Sequence, residues 1–189
     1  WDSVGQDGSG YGVYAQRFDA AGAAAGAAFR VNTTTSGDQW YGVSSGLPNG
    51  GFVVTFVHGT HATSLGDVYA QVFDSDGVVV GSEFRVNQVT ADTQLGSRVA
   101  VGTDGRFLAV WLSNLQDGSG AGIYGRLYTS GGVARGNEFR INSSTANNQF
   151  NPQMTALAGG GYVVSWFDDV KDGSGHGVYA QRLDANGAK

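Results

Sequence analysis

The chain has 189 residues with 32 Gly, 2 Pro, no Cys and a formal charge of −5. Lack of Cys excludes disulfides and thiolate metal centres, and lack of a Lys/Arg cluster argues against nucleic acid or anionic membrane as partner. No apolar run approaches the ~18 residues of a membrane span, so no membrane insertion is expected, and all but two of the acidic residues are Asp, a turn-rich and helix-poor composition.

The first clear element is Val13–Phe18, where Val-Tyr-Ala-Gln-Arg-Phe alternates with the period of two expected of a half-buried strand. Ala28–Asn32 reads as a short strand after it. Asn49-Gly50 marks a tight hairpin. Val68–Phe73 repeats the first strand, Asp76-Gly77 the turn after it, and Glu83–Asn87 the short strand. Ser97–Val101 and Arg106–Trp111 form a hairpin about Thr103-Asp104-Gly105. Asn-Gly, Asp-Gly and Gly-Gly pairs accept positive φ at both central positions, which predicts type I′ turns. A Gly-rich loop, Leu112–Gly122, leads to strand Ile123–Tyr128, a Gly131-Gly132 turn and strand Glu138–Asn142. Gly159-Gly160, Val178–Leu183 and Asn186-Gly187 repeat the scheme again.

These elements obey one period. Trp1, Phe56, Trp111 and Trp166 stand 55 residues apart, as do Phe29, Phe84 and Phe139, Asn32, Asn87 and Asn142, and Gln39, Gln94 and Gln149. A supersecondary unit of this length cannot bury its apolar face alone and stacks on its neighbours. Four short antiparallel strands per unit make the blade of a β-propeller. The expectation is therefore an all-β, propeller-type array of four-stranded meanders, with an open β-solenoid as the alternative. It is a single array of about 3.4 repeats, in pieces 1–38, 39–93, 94–148 and 149–189. The Trp/Phe column is expected between blades. The partial count suggests a piece of a longer array, and open sheet edges suggest self-association into a ring or filament.

In a propeller the loops after the second and fourth strands share one face, and a ligand is expected there. Calcium takes 6–8 oxygen ligands. The Asp-Gly-Ser-Gly loops offer Asp7 and Ser9, Asp117 and Ser119, and Asp172 and Ser174, with Asp2 beside the first and Asp168 and Asp169 beside the last. The second repeat has Ala62 where the Asp belongs, with Asp67 nearby. Asp-Gly also makes turns without metal. A glycan reading rests on Gln39, Trp40 and Tyr41, expected in a loop, together with Gln94 and Gln149. Aromatics stack on sugars, but they pack on neighbours as well. No nucleophile motif is present and no His recurs at an equivalent position, so the chain is not expected to be an enzyme.

The pattern Trp–x5–Asp-Gly-Ser-Gly-x-Gly-Val-Tyr-Ala-Gln-Arg-Phe-Asp, followed by Glu-Phe-Arg-Val-Asn, resembles repeats of very large secreted bacterial proteins, often adhesin-like and often beside hemolysin-type calcium-binding sequences. It spans Asp7–Asp19, Asp117–Tyr128 and Asp172–Asp184, with Phe29–Asn32, Phe84–Asn87 and Phe139–Asn142. The calcium-binding nonapeptide itself is absent. The resemblance implies an extracellular or cell-surface structural and adhesion module that meets glycans or cell-surface proteins; its metal site is not carried over, and calcium is expected only from the Asp-Gly-Ser-Gly loops of this chain. A carbohydrate-binding module on the same loop face is the alternative.

Overall fold

The computed structural model describes residues 1–169 and 171–189. Four antiparallel sheets follow one another along the chain. Blade 1 holds β1 (Asp2–Val4), β2 (Tyr11–Ala15) and β3 (Phe29–Arg30). Blade 2 holds β4 (Asp38–Gly46), β5 (Phe52–Thr60), β6 (Leu65–Phe73) and β7 (Val79–Arg85). Blade 3 holds β8 (Gln94–Val101), β9 (Phe107–Asn114), β10 (Ala121–Tyr128) and β11 (Phe139–Arg140). Blade 4 holds β12 (Gln149–Ala156), β13 (Tyr162–Asp169) and β14 (His176–Leu183). The strand order within each blade is that of the chain, so every blade is a meander.

The core lies between the blades. Phe56 and Phe73 of blade 2 share a cluster with Val13 and Val31 of blade 1. Trp111 and Tyr128 of blade 3 share one with Val68 and Val86 of blade 2, and Trp166 and Leu183 of blade 4 one with Ile123 and Ile141 of blade 3. The Trp/Phe column thus packs between blades, as the period implies. Trp1 is 56% exposed, and Val178, the counterpart of Val13, is 70% exposed.

A buried asparagine links the strands within each of blades 1 to 3. The N–H groups of Val13, Val68 and Ile123 donate to Oδ1 of Asn32, Asn87 and Asn142 at 2.8, 2.7 and 2.7 Å. The residues just before them, Val31, Val86 and Ile141, which follow β3, β7 and β11, donate back to the carbonyls of Val13, Val68 and Ile123. The amide thus continues the ladder two residues beyond the strand and satisfies a buried N–H that would otherwise be orphaned.

Two local expectations change. The hairpin turns are not type I′, because only Gly50, Gly105 and Gly77 have positive φ, not Asn49, Asp104 or Asp76. The Gly50 N–H donates to the Leu47 carbonyl and the Leu47 N–H to that of Gly51, a type I turn closed by a left-handed glycine. The segment at Gln39, expected as a loop, belongs to the first strand. A bulge interrupts β4 between Trp40 and Val43, β8 between Leu95 and Arg98, and β12 between Phe150 and Gln153. Tyr41, Gly96 and Asn151 take positive φ there. A bulge hides a strand from any reading by alternation.

The Asn142→Ala substitution removes the acceptor of a buried N–H and should lower unfolding free energy by about 1–3 kcal/mol in a urea titration.

Candidate groove on the loop face

The loops after the second and fourth strands meet on one face. There an open groove of about 450 Å³ crosses blades 2 to 4. Blade 2 contributes Thr63 and Ser64, from the turn after β5. Blade 3 contributes Thr93, Leu95 and Asn114. Blade 4 contributes Phe150, Asp169 and His176.

Polar and aromatic groups converge on the blade 4 side. The His176 imidazole Nδ1 lies 2.6 Å from Asp169 Oδ1, and the Asn148 amide donates to Asp169 Oδ2 at 3.0 Å. The Phe150 ring meets His176 edge-on, with centroids 5.3 Å apart and planes at 84°, and also packs against Phe167. Asp169 at the end of β13 therefore has one hydrogen bond, from Asn148, and a close contact with the exposed His176, while the aromatic ring beside it is half-buried. An apolar wall next to convergent donors and acceptors is the general form of a small-ligand site.

Asn148 also joins blades, since its Oδ1 accepts the Ala121 N–H at 3.1 Å. Asp38 occupies the same repeat position. It accepts from the N–H groups of His61 and Tyr11, at 2.9 and 3.0 Å. These two bonds, that of His61 first, hold its carboxyl below the ordinary value. Asn148, Phe150 and His176 were not singled out as a group from sequence. Only their register signals it: Asp169 pairs with His176 across β13 and β14, and Phe150 with Phe167.

The residues expected to read a glycan lie elsewhere. Gln39, Gln94 and Gln149 are fully buried. Their amides donate to the carbonyls of Ser36, Ala91 and Ala146, and Gln39 and Gln149 accept from Asn32 and Asn142. They close the loop before the first strand and cannot reach a ligand in solvent. Trp40 is buried too, edge-on to His61 at 5.3 Å. Tyr41 is exposed at the bulge.

The carboxylates of the Asp-Gly-Ser-Gly loops are engaged within the chain. Asp7, Asp117 and Asp172 accept through Oδ1 from the N–H of Ser9, Ser119 and Ser174, an Asx turn repeated three times. Asp7 Oδ2 also accepts from Asn32, and Asp2 accepts the Tyr41 N–H. Asp168 is fully buried, and neither of its oxygens has a hydrogen-bond partner among the described residues. No group of three or more His, Asp or Glu side chains converges on one point among the described residues.

Blade 2 solves the loop differently. A Cβ on Gly12 or Gly122 would fall 2.7 or 2.8 Å from the carboxylate of Asp7 or Asp117. Blade 2 has Ala62 in place of that Asp and Asp67 in place of that Gly. Asp67 then accepts from Asn87 at 2.6 Å and lies 3.9 Å from Arg85, as Asp117 lies 3.9 Å from Arg140. The carboxylate occupies the same region but is anchored on the third strand instead of the loop.

No protein-family model matches the chain, and no curated protein sequence does. Solved structures do. An endo-arabinase from Bacteroides thetaiotaomicron VPI-5482 aligns at 16% identity over 80% of this chain and 58% of its own, with a TM-score of 0.49. A protein described as of unknown function from Dyadobacter fermentans DSM 18053 aligns at 12% identity over 81% and 40%, with a TM-score of 0.55. A thermostable family-43 glycoside hydrolase aligns at 12% identity over 92% and 67%, with a TM-score of 0.53. The chain thus spans 58% of the endo-arabinase and 40% of the Dyadobacter protein.

At these identities the likeness shows the fold, an all-β propeller-type array. It also corrects the expectation of a non-catalytic structural and adhesion module. That expectation, and with it the exclusion of an enzyme, rested on reading stacked repeats as scaffold, and the same architecture carries a glycoside hydrolase.

The exchange between Asp117 and Gly122 is open to test. Gly122→Asp alone crowds two carboxylates and should cost about 1–3 kcal/mol of unfolding free energy. Adding Asp117→Ala rebuilds the blade 2 arrangement and should recover most of the loss, as read in urea titrations of both variants.

Proposed function

We propose that the chain is a carbohydrate-active propeller that holds a glycan in the groove between blades 2, 3 and 4. The observation that carries this is the pairing of a half-buried aromatic, Phe150, with a fixed carboxylate–imidazole pair, Asp169 and His176, in one groove. A sugar ring presents an apolar face and a rim of hydroxyls. Phe150 offers a surface for the first. Asp169, His176, Asn114, Thr93 and Ser64 supply donors and acceptors for the second. A groove open along its length suits a chain of sugars rather than an enclosed small molecule. The family-43 fold likeness supports the same ligand class. Asp169 and His176 are the ionisable side chains that line the groove, so cleavage of a bound glycan would run through them. The reading implies an extracellular or cell-surface setting, where polysaccharide is met.

Calcium enters the proposal as a stabiliser of the last loop, outside the groove. Asp168 is buried without a hydrogen-bond partner among the described residues. It pairs across the sheet with Gly177, where a Cβ would lie 3.1 Å from Asp172 Oδ2. A hard cation between the two carboxylates would neutralise a charge that is otherwise costly to bury.

Two measurements check these readings. Phe150→Ala and Asp169→Asn should each weaken glycan binding at least about tenfold by calorimetry against soluble polysaccharides, with new reducing ends assayed in parallel; unchanged binding in both removes the groove from the account. Excess calcium should raise the melting midpoint by several degrees relative to chelator, and Asp168→Asn should abolish the rise; a midpoint indifferent to chelator removes the ion.

A further inference from the structure

The first strand of blade 2 carries a side chain that its backbone does not favour. At the bulge of β4, β8 and β12 one residue takes positive φ: Tyr41 at 57°, Gly96 at 62° and Asn151 at 53°. Gly has no Cβ to clash there, and the short polar side chain of Asn tolerates the left-handed region. Tyr has neither relief. A bulky residue with positive φ is an outlier, and such outliers cluster where a site uses the conformation.

The conformation is held from outside the strand. The Tyr41 N–H donates to Asp2 Oδ2 at 3.1 Å, which ties the bulge to β1 of blade 1. The buried Trp40 indole meets the Tyr41 ring edge-on, with centroids 6.5 Å apart and planes at 61°. The Tyr41 ring remains exposed. Exposure belongs to the bulge itself, since Asn151 at the same point of blade 4 is exposed although all four strands of blade 3 precede it. Trp40 is also edge-on to His61, which opens the short turn His61–Thr63. Thr63 and Ser64 form the blade 2 end of the groove. One run of side chains, Trp40 and His61, thus joins the exposed ring to the groove.

We propose that Tyr41 is a stacking platform for a sugar ring, a second subsite that adjoins the blade 2 end of the groove and holds the same glycan. The inference rests on the glycan reading of the loop face. The apolar face of a sugar lies on the phenol ring. Asp2 stands beside it, and a carboxylate accepts several hydrogen bonds, so Asp2 takes a sugar hydroxyl while it holds the Tyr41 N–H. Blades 3 and 4 have Gly96 and Asn151 at this point and offer no ring, so the platform belongs to blade 2. The left-handed backbone that Gly and Asn adopt freely is retained at Tyr41 because it presents the ring to solvent.

The test is calorimetry against soluble xylan, arabinan, dextran and pullulan. Tyr41→Asn installs the residue of blade 4. It should weaken binding of the recognised polysaccharide about three- to tenfold while the melting midpoint holds, because Asn suits the backbone better. Tyr41→Phe keeps the ring and should bind as the parent chain does. In the parent chain, bound polysaccharide should slow nitration of Tyr41 by tetranitromethane, read by mass spectrometry. Weaker binding with Phe150→Ala but unchanged binding with Tyr41→Asn overturns the platform and leaves the groove. The reverse pattern supports the platform and removes the groove. Nitration of Tyr41 at the same rate with and without saturating polysaccharide overturns the platform whatever the variants do, as does absence of binding to all of the polysaccharides.

Discussion

Everything in this array depends on a buried amide that accepts a main-chain proton. Asn32, Asn87 and Asn142 do the same work three times, holding the third strand to the end of the fourth. The other end of that amide sets what comes next. In blades 1 and 3 it donates to Gln39 and Gln149, the first interior residues of the following blade. One side chain thereby fixes a strand, a loop and the start of the neighbouring sheet. Replacement of a partner in such a fully satisfied network is costly, because the buried groups left behind have no water to turn to.

Much of the fold was legible in the chain. The 55-residue spacing of Trp111 and Trp166 gives the unit, the Val-Tyr-Ala-Gln-Arg-Phe alternation gives the third strand, and the Gly-containing turns give the hairpins. What was not legible has physical causes. The bulges at Tyr41, Gly96 and Asn151 insert an extra residue into the first strand and shift its alternation. Strand Gln94–Val101 therefore looks like a loop leading into a shorter strand. The turns deceived for another reason. Asn-Gly serves both a type I′ turn and a type I turn ending in a left-handed glycine, and the two differ only in which residues bear positive φ.

The loop face that carries the proposed groove was legible, and of the residues discussed as lining it only Asp169 was. Repetition draws the eye to Gln39, Gln94 and Gln149, yet residues repeated at every blade serve what every blade needs, which is closure of the loop. The groove is built from what departs from the repeat. Phe150 stands where the others have Trp40 and Leu95. Asp169 and His176 stand where blade 3 has Asn114 and Ala121. In a repeat protein, individuality within the array is the better guide to a site than recurrence.

The carboxylate that moves from loop to strand in blade 2 bears on how such an array grows. Arrays of this kind lengthen when a unit is copied by unequal exchange between misaligned genes. A breakpoint falling between the codons for residues 62 and 67 would splice the loop of one type onto the strand of the other. One product would carry two carboxylates in a space for one, and the reciprocal product none, leaving Arg85 or Arg140 without its partner. Positions 62–67 of the loop and strand thus behave as one block of six residues, and copying that yields a foldable blade would cut elsewhere in the unit.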